Sequence, residues 1–427
     1  MDTGITAHFE SAHRPQLAAF HAFVEDELVP LWQELGEPTA EHLTPEIKGH
    51  VRRRSAELGF YAPEYPSRLG GGDLPMTVAA LLRHAAGRSG CPLAHAAMAG
   101  SEGPTWLLTH GTPQQQQRYL APLIRAQAMR STAITEPGTG SDMFRLATRA
   151  RRVDGGWVLN GHKIFLGNLD RVDHMLVFAR GEEAGADHSM VFIVEADTAG
   201  LHVRQSFQGM SGEPLFELLM TEVRLPPDAV LGGPEHADLA MTQAMTTQAI
   251  ARVMAAAECN GLAEHALALG LEHARARTAF GQPIGSFQHV QELLVEAQGE
   301  VEQSKLLTLT CALRHDERGE IPHEYASMAK NAAARALNRT VDRSLQVLGG
   351  RGWMKGHPLE YLYRYARMMP IVGGTTEIHK VIIAHAMGLG SGPDRPPVPD
   401  GPWAAPGPRP DGTPPPAADL RPPRESS

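Results

Sequence analysis

The most informative segment of the chain reads Ala133-Ile134-Thr135-Glu136-Pro137-Gly138-Thr139-Gly140-Ser141-Asp142. Its glycines and clustered hydroxyl groups predict a loop whose backbone N–H groups can closely approach a planar, polar heterocycle. The side chains of Thr135 and Ser141 can offer further hydrogen bonds. A Gly- and Ser-rich turn is most often an ordinary loop, so the segments around it determine whether this one binds a ligand.

The periodicity of the sequence changes on either side of this loop, which predicts three folded domains in an α+β protein. Residues 1–128 alternate apolar and charged residues at helical spacing, with a Pro- and Gly-rich loop at 61–72. Residues 129–236 have the character of strands, and the helical period returns in residues 237–390. Residues 391–427 are rich in Pro and Gly without apolar periodicity, which predicts a disordered tail.

Within the middle domain, the pair Asn160-Gly161 stands between two alternating runs that begin at Trp157 and end at Phe165. Because Asn and Gly tolerate the positive φ of a type I′ turn, this pair predicts the turn of a β-hairpin. Apolar runs of strand length follow at 174–179 and 189–196. We therefore expect a compact β domain.

The C-terminal domain is predicted to consist of long packed helices. One apolar stripe has steps of four and three residues and consists of Val290, Leu294, Ala297 and Val301. Gly and Pro residues in segment 278–283, and glycines in segment 348–352, predict breaks between helices.

Length and composition are those of an ordinary globular protein. The chain has 427 residues, of which 42% are hydrophobic and 20% charged, enough for several domains and for burial of a large cofactor. No apolar run approaches the roughly 18 residues of a membrane span. The segment around Asp2 and Glu10 has no basic run leading into an apolar stretch. We expect no membrane span and a cytoplasmic location.

Charge and residue spacing argue against nucleic acids and metal ions as ligands. The net charge of −9 provides no basic surface for a nucleic acid. Cys91, Cys259 and Cys311 are far apart and form no CxxC pair, which favours buried, reduced thiols. Histidine pairs such as His265 and His273 lack the i, i+4 spacing of helical metal ligands, so no metal site is predicted.

Four segments together resemble motifs of the acyl-CoA dehydrogenase family. Residues 135–142 are similar to TEPxxGSD, and residues 277–284 to RxxFGxPI. Residues 346–352 are similar to QxxGGxG, with Trp353 where a tyrosine usually follows, and residues 371–378 are similar to IYEGTxEI. Weaker similarities at 58–72 and 220–226 extend the resemblance over residues 10 to 389 in the family's order.

The resemblance implies the acyl-CoA dehydrogenase fold, with an N-terminal helical domain, a middle β domain and a C-terminal four-helix bundle. It also implies FAD at a subunit interface of a homodimer or homotetramer. Arg277 and Phe280 are expected to approach the FAD of an adjacent subunit, where arginine suits a pyrophosphate. The implied FAD contacts are Thr135, Gly140, Ser141, Phe165, Arg277, Phe280, Gln288, Gln346, Gly350, Thr375 and Glu377.

The same resemblance implies a thioester substrate, bound to CoA or to a carrier protein. Ser141 and Arg252 match positions on the thioester side of the family's site. An electron-transfer partner or O₂ is expected to exchange electrons with the flavin.

The family's catalytic glutamate is missing from this sequence. Its usual position holds Gly373, and the alternative position used by some members, directly before Arg252, holds Ala251. A positioned general base contributes about 10² to 10⁴ in rate, so no catalytic residue can be assigned from the family. Beside the flavin, Phe165 and Gly167 replace the tryptophan and threonine of the family's KxWITN strand.

Three nearby residues are candidates for a replacement base, and each also has a simpler role. Glu377 matches a cofactor contact, Tyr365 can serve packing alone, and His379 can face solvent.

Three functional hypotheses follow. The first is an FAD enzyme that acts on a thioester without the usual base, because the substrate is already acidified, carries its own base, or is an enoyl group to be reduced. The second is a flavin monooxygenase on the same fold, which needs no α-proton base. The third is a non-catalytic subunit, against which the retained FAD motifs argue.

Overall fold

The structure is a computed structural model that describes residues 7–182, 189–234 and 240–389. The Pro-rich tail predicted at 391–427 lies outside the described residues, as does the predicted boundary between the middle and C-terminal domains.

The N-terminal part of the chain is helical, and several of its helices begin at residues that favour helix starts. Thr44 accepts a hydrogen bond from the Ile47 N–H at 3.4 Å, and Thr112 forms a capping box with Gln115. The α-helices are α1 (Ala7–Ala12), α2 (Arg14–Phe23), α3 (Val29–Glu34), α4 (Pro45–Glu57), α5 (Met76–Arg88), α6 (Pro92–Ala96), α7 (Pro113–Gln115) and α8 (Ala121–Ile124). Shorter π and 3₁₀ segments are Val24–Leu28, Ala40–His42, Ser67–Leu69, Trp106–His110 and Gln116–Leu120.

A curled, seven-stranded sheet follows. Its strands are β1 (Arg130–Ala133), β2 (Arg149–Val153), β3 (Gly156–Gly167), β4 (His174–Gly181), β5 (Ser189–Glu195), β6 (Leu201–Gln208) and β7 (Pro214–Leu225). β3 lies between β2 and β7, and β6 pairs with the other edge of β7. β4 pairs antiparallel with β5 and parallel with both β1 and β2. The strands predicted at 174–179 and 189–196 are confirmed as β4 and β5.

The prediction of a hairpin turn at Asn160-Gly161 is wrong. β3 continues through both residues, and the turn that joins β2 to β3 lies at Asp154-Gly155. Asn160 is instead part of an irregularity in the pairing of β3 with β7, where its side chain exchanges two hydrogen bonds of 2.8 Å with Glu222. Gly161 is needed for close packing, because a Cβ there would lie 2.4 Å from the Thr148 hydroxyl oxygen.

The C-terminal part of the described chain is a bundle of long helices. Its elements are α9 (Ala240–Ala276), β8 (Thr278–Ala279), β9 (Gln282–Pro283), a 3₁₀ turn (Ile284–Ser286), α10 (Gln288–Arg318), α11 (His323–Leu348), α12 (Gly350–Trp353), α13 (Pro358–Met368) and α14 (Thr376–Ala386). α9 packs against α5, α10 and α11, largely through alanines that let the helix axes approach closely. Leu294, Ala297 and Val301 are buried as the stripe predicted, and the helix breaks fall in both predicted segments.

The three cysteines are buried and form no disulfide, as predicted. Within the described ranges, no helix is long and apolar enough to cross a membrane. The same residues contain no cluster of three or more His, Cys, Asp or Glu side chains suited to a metal ion.

Candidate functional site

A buried ion pair anchors the loop that follows β1. The Glu136 carboxylate lies 2.8 Å from Lys163 Nζ on β3 and accepts a hydrogen bond from the Thr148 N–H at 3.0 Å. Lys163 is 0% exposed and also donates to the Ile134 carbonyl at 2.9 Å. Burial raises the pKa of Glu136, but the Lys163 charge and the hydrogen bonds outweigh it, so the net shift is downward. The carboxylate therefore stays ionised and fixes the start of the loop.

The rest of this loop faces outward. Gly138 and Gly140 are exposed, and a Cβ at either position would meet no atom within 4 Å. Ser141 is exposed, and Thr135 is half-buried beside β3, where its carbonyl accepts the Ile164 N–H at 2.9 Å. The open backbone and the two hydroxyl groups fit the edge of a planar heterocycle such as a flavin.

β3 supplies a wall next to this loop at Phe165. Its side chain is 49% exposed, and its φ of +60° is in the left-handed region, which is unfavourable for an aromatic residue. The pairing of β3 with β7 shifts between Lys163 and Leu166, which turns Phe165 outward toward Phe207, with ring centroids 5.7 Å apart. Gly167 leaves open space, because a Cβ there would meet no atom within 4 Å.

A second group of predicted FAD contacts lies at one end of the helical bundle. α9, α10 and α11 follow one another through short connections, so the end of α9, the start of α10 and the end of α11 meet. The buried side chains of Ala274, Leu294 and Val347 pack together there. The predicted contacts at this end are all exposed, namely Arg277, Phe280, Gln288, Gln346 and Gly350.

Phe280 is the most exposed of these contacts. The ring is 94% exposed on the β8–β9 hairpin, and φ at this residue is +51°. A strained backbone that presents an aromatic ring to solvent is a feature of binding surfaces. The positions of Arg277 and Phe280 therefore suit contact with a second molecule.

The turn that contains Gly373 is held from beneath by Lys330 of α11. Lys330 Nζ donates to the carbonyls of Met369 at 2.6 Å, Val372 at 2.7 Å and Gly374 at 3.0 Å. Lys330 is 1% exposed, and burial lowers its pKa to about 8. The sequence prediction missed this residue, although a single lysine in the alanine-rich segment of α11 was a signal for a buried charge.

Gly373 itself is exposed and could accommodate a side chain only at a backbone cost. Its φ is +68°, and a Cβ would meet no atom within 4 Å. Thr375 begins α14 by accepting the Ile378 N–H at 3.2 Å, and the Thr376 N–H donates to the Pro370 carbonyl at 2.9 Å, so the first turn is capped within the chain. Glu377 is exposed in that turn.

The remaining candidate bases are engaged in other contacts. Tyr365 donates its hydroxyl to Glu258 Oε1 at 2.5 Å, and burial, followed by Glu258, raises its pKa well above the usual range. The suggestion that His379 faces solvent is wrong. His379 is 0% exposed, lies 3.0 Å from Asn331 Oδ1, and has its pKa lowered to about 4, mainly by burial.

Arg252, the predicted thioester-side arginine, lies in α9 and is 4% exposed. Its Nη2 donates to Gln248 Oε1 at 3.3 Å, whereas Nε and Nη1 are buried without a hydrogen-bond partner. Burial lowers its pKa, and Arg252 in turn lowers the pKa values of His323 and His379. Ala251, directly before it, is exposed.

Comparisons with known proteins match nearly the whole described chain. Models of the acyl-CoA dehydrogenase N-terminal, middle and C-terminal domains match residues 11–127, 131–223 and 241–388. The 3-(aryl)acrylate reductase of Clostridium sporogenes is 30% identical over 85% of this chain and 94% of its own. The human mitochondrial short-chain specific acyl-CoA dehydrogenase is 31% identical over 87% and 89%. The structure of butyryl-CoA dehydrogenase from Megasphaera elsdenii is 27% identical over 91% and 100%, with a TM-score of 0.74.

Proposed function

The chain belongs to the acyl-CoA dehydrogenase family, and from this membership we propose an FAD-dependent oxidoreductase that acts on an acyl thioester without a protein carboxylate as base. The observation that carries the proposal is the empty position at Gly373. The predicted FAD contacts are retained in the sequence, so loss of the base is not part of a general loss of the cofactor site.

The residues of this chain fit FAD in chemical type and in exposure. The exposed loop at Gly138–Ser141 offers amides and a hydroxyl to the flavin edge, and Phe165 forms a wall beside it. The N-terminal turn of α14, with Thr375, suits an anionic or polar group. When bound, FAD supplies the hydride acceptor or donor, and these side chains orient it and exclude water.

The missing carboxylate restricts the proton transfer that accompanies this chemistry. An unactivated α C–H bond needs a general base, which is worth about 10² to 10⁴ in rate. Tyr365 and His379 are engaged or enclosed in this structure. We therefore expect a substrate whose α-hydrogen is already acidic, one that carries its own base, or an enoyl group that is reduced. The name of the reductase relative from Clostridium sporogenes supports the last of these.

A homo-oligomer is the assembly that uses both groups of predicted FAD contacts. Arg252, the predicted substrate contact, lies in α9, and Arg277 follows directly after this helix, 25 positions later, which at about 1.5 Å per residue corresponds to about 37 Å. The predicted FAD contacts around Arg277 are therefore far from the predicted substrate arginine. The contacts around Arg277 and Phe280 therefore suit the FAD of a second subunit, which supports a homodimer or homotetramer.

A flavin monooxygenase is the second candidate, and the specific observation that favours it is the open space at Gly167. Reduced flavin that reacts with O₂ requires room beside the ring and no α-proton base. O₂ consumption that depends on both substrate and a reductase would favour this function over thioester oxidoreduction.

The test uses the purified, flavin-loaded full-length protein under anaerobic conditions. Saturated acyl-CoA and acyl-carrier-protein thioesters are added to oxidised enzyme, and enoyl thioesters to chemically reduced enzyme, while flavin absorbance is followed. Bleaching by the first set or reoxidation by the second supports the proposal. Loss of both responses, together with substrate-dependent O₂ consumption, would replace it with the monooxygenase. Protein that purifies without flavin would favour a non-catalytic subunit.

A further inference from the structure

One face of α9 connects the alternative base position at Ala251 with the far side of the helical bundle. The residues that share this face follow one another at steps of four and three, and they are Ala251, Ala255, Glu258, Leu262 and His265. At about 1.5 Å per residue, Glu258 lies about 10 Å along the helix axis from Ala251, and Leu262 about 16 Å. Ala251 is exposed and Ala255 half-buried, and each carries only a methyl group, so this face is open as far as Glu258.

A cavity of about 90 Å³ lies at the far end of this face, between the N-terminal domain and the bundle. Leu262 and His265 of α9 contribute to its walls, together with His95 of α6 and Tyr361 and Tyr365 of α13. Its walls are mostly apolar. Such a cavity suits the hydrocarbon part of a ligand better than water.

Glu258 brings a carboxylate next to this cavity. Its Oε1 accepts a hydrogen bond from the Tyr365 hydroxyl at 2.5 Å. The pKa of Tyr365 is raised well above its usual range, first by burial and then by Glu258, so the hydroxyl stays protonated and continues to donate. Among the described residues, the Glu258 side chain makes no other hydrogen bond, although a carboxylate offers about four lone-pair sites. Glu258 therefore retains acceptor sites for a ligand.

His95 approaches the same carboxylate from α6. Its Nε2 lies 3.8 Å from Glu258 Oε1, which is too long for a hydrogen bond. An oxygen atom placed between the two groups can lie within hydrogen-bond distance of both. A hydroxyl group suits this place because it donates to the carboxylate and accepts from an Nε2–H. An ammonium group cannot accept, and a methylene group can do neither.

We propose that Glu258 and His95 bind a hydroxyl group on the acyl chain of the substrate, which makes hydroxylated acyl thioesters the substrate class. This inference rests on the proposed thioester function. The reacting carbon atoms then lie near Ala251 and Gly373, the hydroxyl group lies about 10 Å further along α9, and the carbon atoms beyond it enter the cavity. A chain without the hydroxyl group would place methylene groups against the carboxylate and exclude water from it, which is unfavourable.

The experiment scans the position of the hydroxyl group at constant chain length. Isomers of hydroxydodecanoyl-CoA, with the hydroxyl group on carbon six, eight, ten or twelve, are compared with dodecanoyl-CoA by anaerobic titration of the oxidised, flavin-loaded full-length protein. Calorimetry measures binding, and the flavin absorbance detects any turnover. We expect at least one isomer to bind about 10-fold or more tightly than dodecanoyl-CoA, as a hydrogen bond to a charged group predicts. The isomers that place the hydroxyl group against the apolar walls should bind more weakly than dodecanoyl-CoA.

Variants assign the preference to named side chains. Glu258→Leu should abolish it and change the affinity for dodecanoyl-CoA by less than about threefold. Because this variant leaves the Tyr365 hydroxyl without a partner, the double variant Glu258→Leu, Tyr365→Phe removes both groups of that hydrogen bond and should behave in the same way. His95→Phe keeps a ring without nitrogen atoms and should weaken the preferred isomer alone.

Controls separate a folding defect from a binding defect. Glu272→Leu replaces an exposed carboxylate on the same helix and should leave every affinity unchanged. Flavin content and thermal unfolding verify that each variant is folded. The wild-type comparison tests the preference without any substitution.

The failures of the two proposals are distinguishable. Equal binding of dodecanoyl-CoA and all its hydroxylated isomers, or a preference that does not depend on the position of the hydroxyl group, overturns the hydroxyl site and leaves the thioester function standing. A preference that Glu258→Leu and the double variant both leave intact overturns the assignment to Glu258. Binding of butyryl-CoA without binding of any dodecanoyl thioester overturns the hydroxyl site alone, whereas absence of binding by every thioester overturns both proposals.

Discussion

Replacement of Gly373 by glutamate restores a base at the family's position and has two separable consequences. The first concerns the backbone. At a φ of +68°, a residue with a Cβ destabilises the folded state by about 1–2 kcal/mol. The Cβ itself would meet no atom within 4 Å, so no steric clash is added. The free energy of unfolding should therefore fall by this amount, and Tm by a few degrees.

The second consequence concerns proton abstraction. A positioned base is worth about 10² to 10⁴, so Gly373→Glu should accelerate anaerobic bleaching of the flavin by straight-chain acyl-CoA by a factor in this range. The matched control is Gly373→Gln, which carries the same backbone strain and nearly the same volume without a basic carboxylate. It should lose stability equally and gain no bleaching.

Equal bleaching rates for Gly373→Gln and Gly373→Glu would refute the argument, because the gain would then come from packing. An unchanged rate in Gly373→Glu, with butyryl-CoA shown to bind, would refute the placement of the substrate's α-carbon near residue 373.

Further predictions test the buried charges and the exposed bundle end. Glu136→Gln leaves the charge of Lys163 buried without its carboxylate partner. The free energy of unfolding, measured by chemical unfolding, should therefore fall by about 3–5 kcal/mol. The variant should also release flavin, which is detected by absorbance after the protein has been removed by ultrafiltration. For Glu264, burial raises the pKa, but His84 and Lys305 outweigh it and hold the pKa at about 2, against 4.5 when unfolded. Because this folded pKa is lowered, the stabilisation is complete above pH 4.5 and is lost as the pH falls through about 2. It amounts to about 3 kcal/mol. In Glu264→Gln, the free energy of unfolding should therefore depend less on pH between these two values. Phe280→Ser should weaken the oligomer, as measured by light scattering, and lower the flavin content, as measured by absorbance. Val203→Ser changes another exposed apolar side chain, which is 54% exposed, and should change neither quantity.

The sequence predicted correctly those elements that depend on the residues within the element itself. The apolar runs of β4 and β5 are confirmed because each strand is buried along nearly its whole length. Asn160-Gly161 failed because the relevant interaction is with Glu222, which is distant in sequence and holds the strand extended. A turn propensity was overridden by a tertiary contact that no local pattern contains.

The candidate site divides in the same way. Ser141 is exposed and Thr375 begins a helix, as the sequence led us to expect, whereas their contacts with FAD stay predictions. The support for Gly373 could not be predicted, since Lys330 reaches the turn from another helix, 44 residues before Gly374. The burial of His379 was likewise invisible, because a histidine in an amphipathic helix is equally compatible with solvent.

Electrostatics connects the missing base to the buried arginine. The resemblance implies a glutamate at position 373 or 251 in other members of the family, whereas this chain has Gly373 and Ala251. Among the described residues, Arg252 has no carboxylate partner, and its Nε and Nη1 lack a hydrogen-bond acceptor. A buried charge without a partner is unfavourable, so an acceptor on a bound ligand should stabilise the fold. The missing base therefore leaves the charge of Arg252 to be balanced by the bound ligand rather than by a carboxylate at either family position.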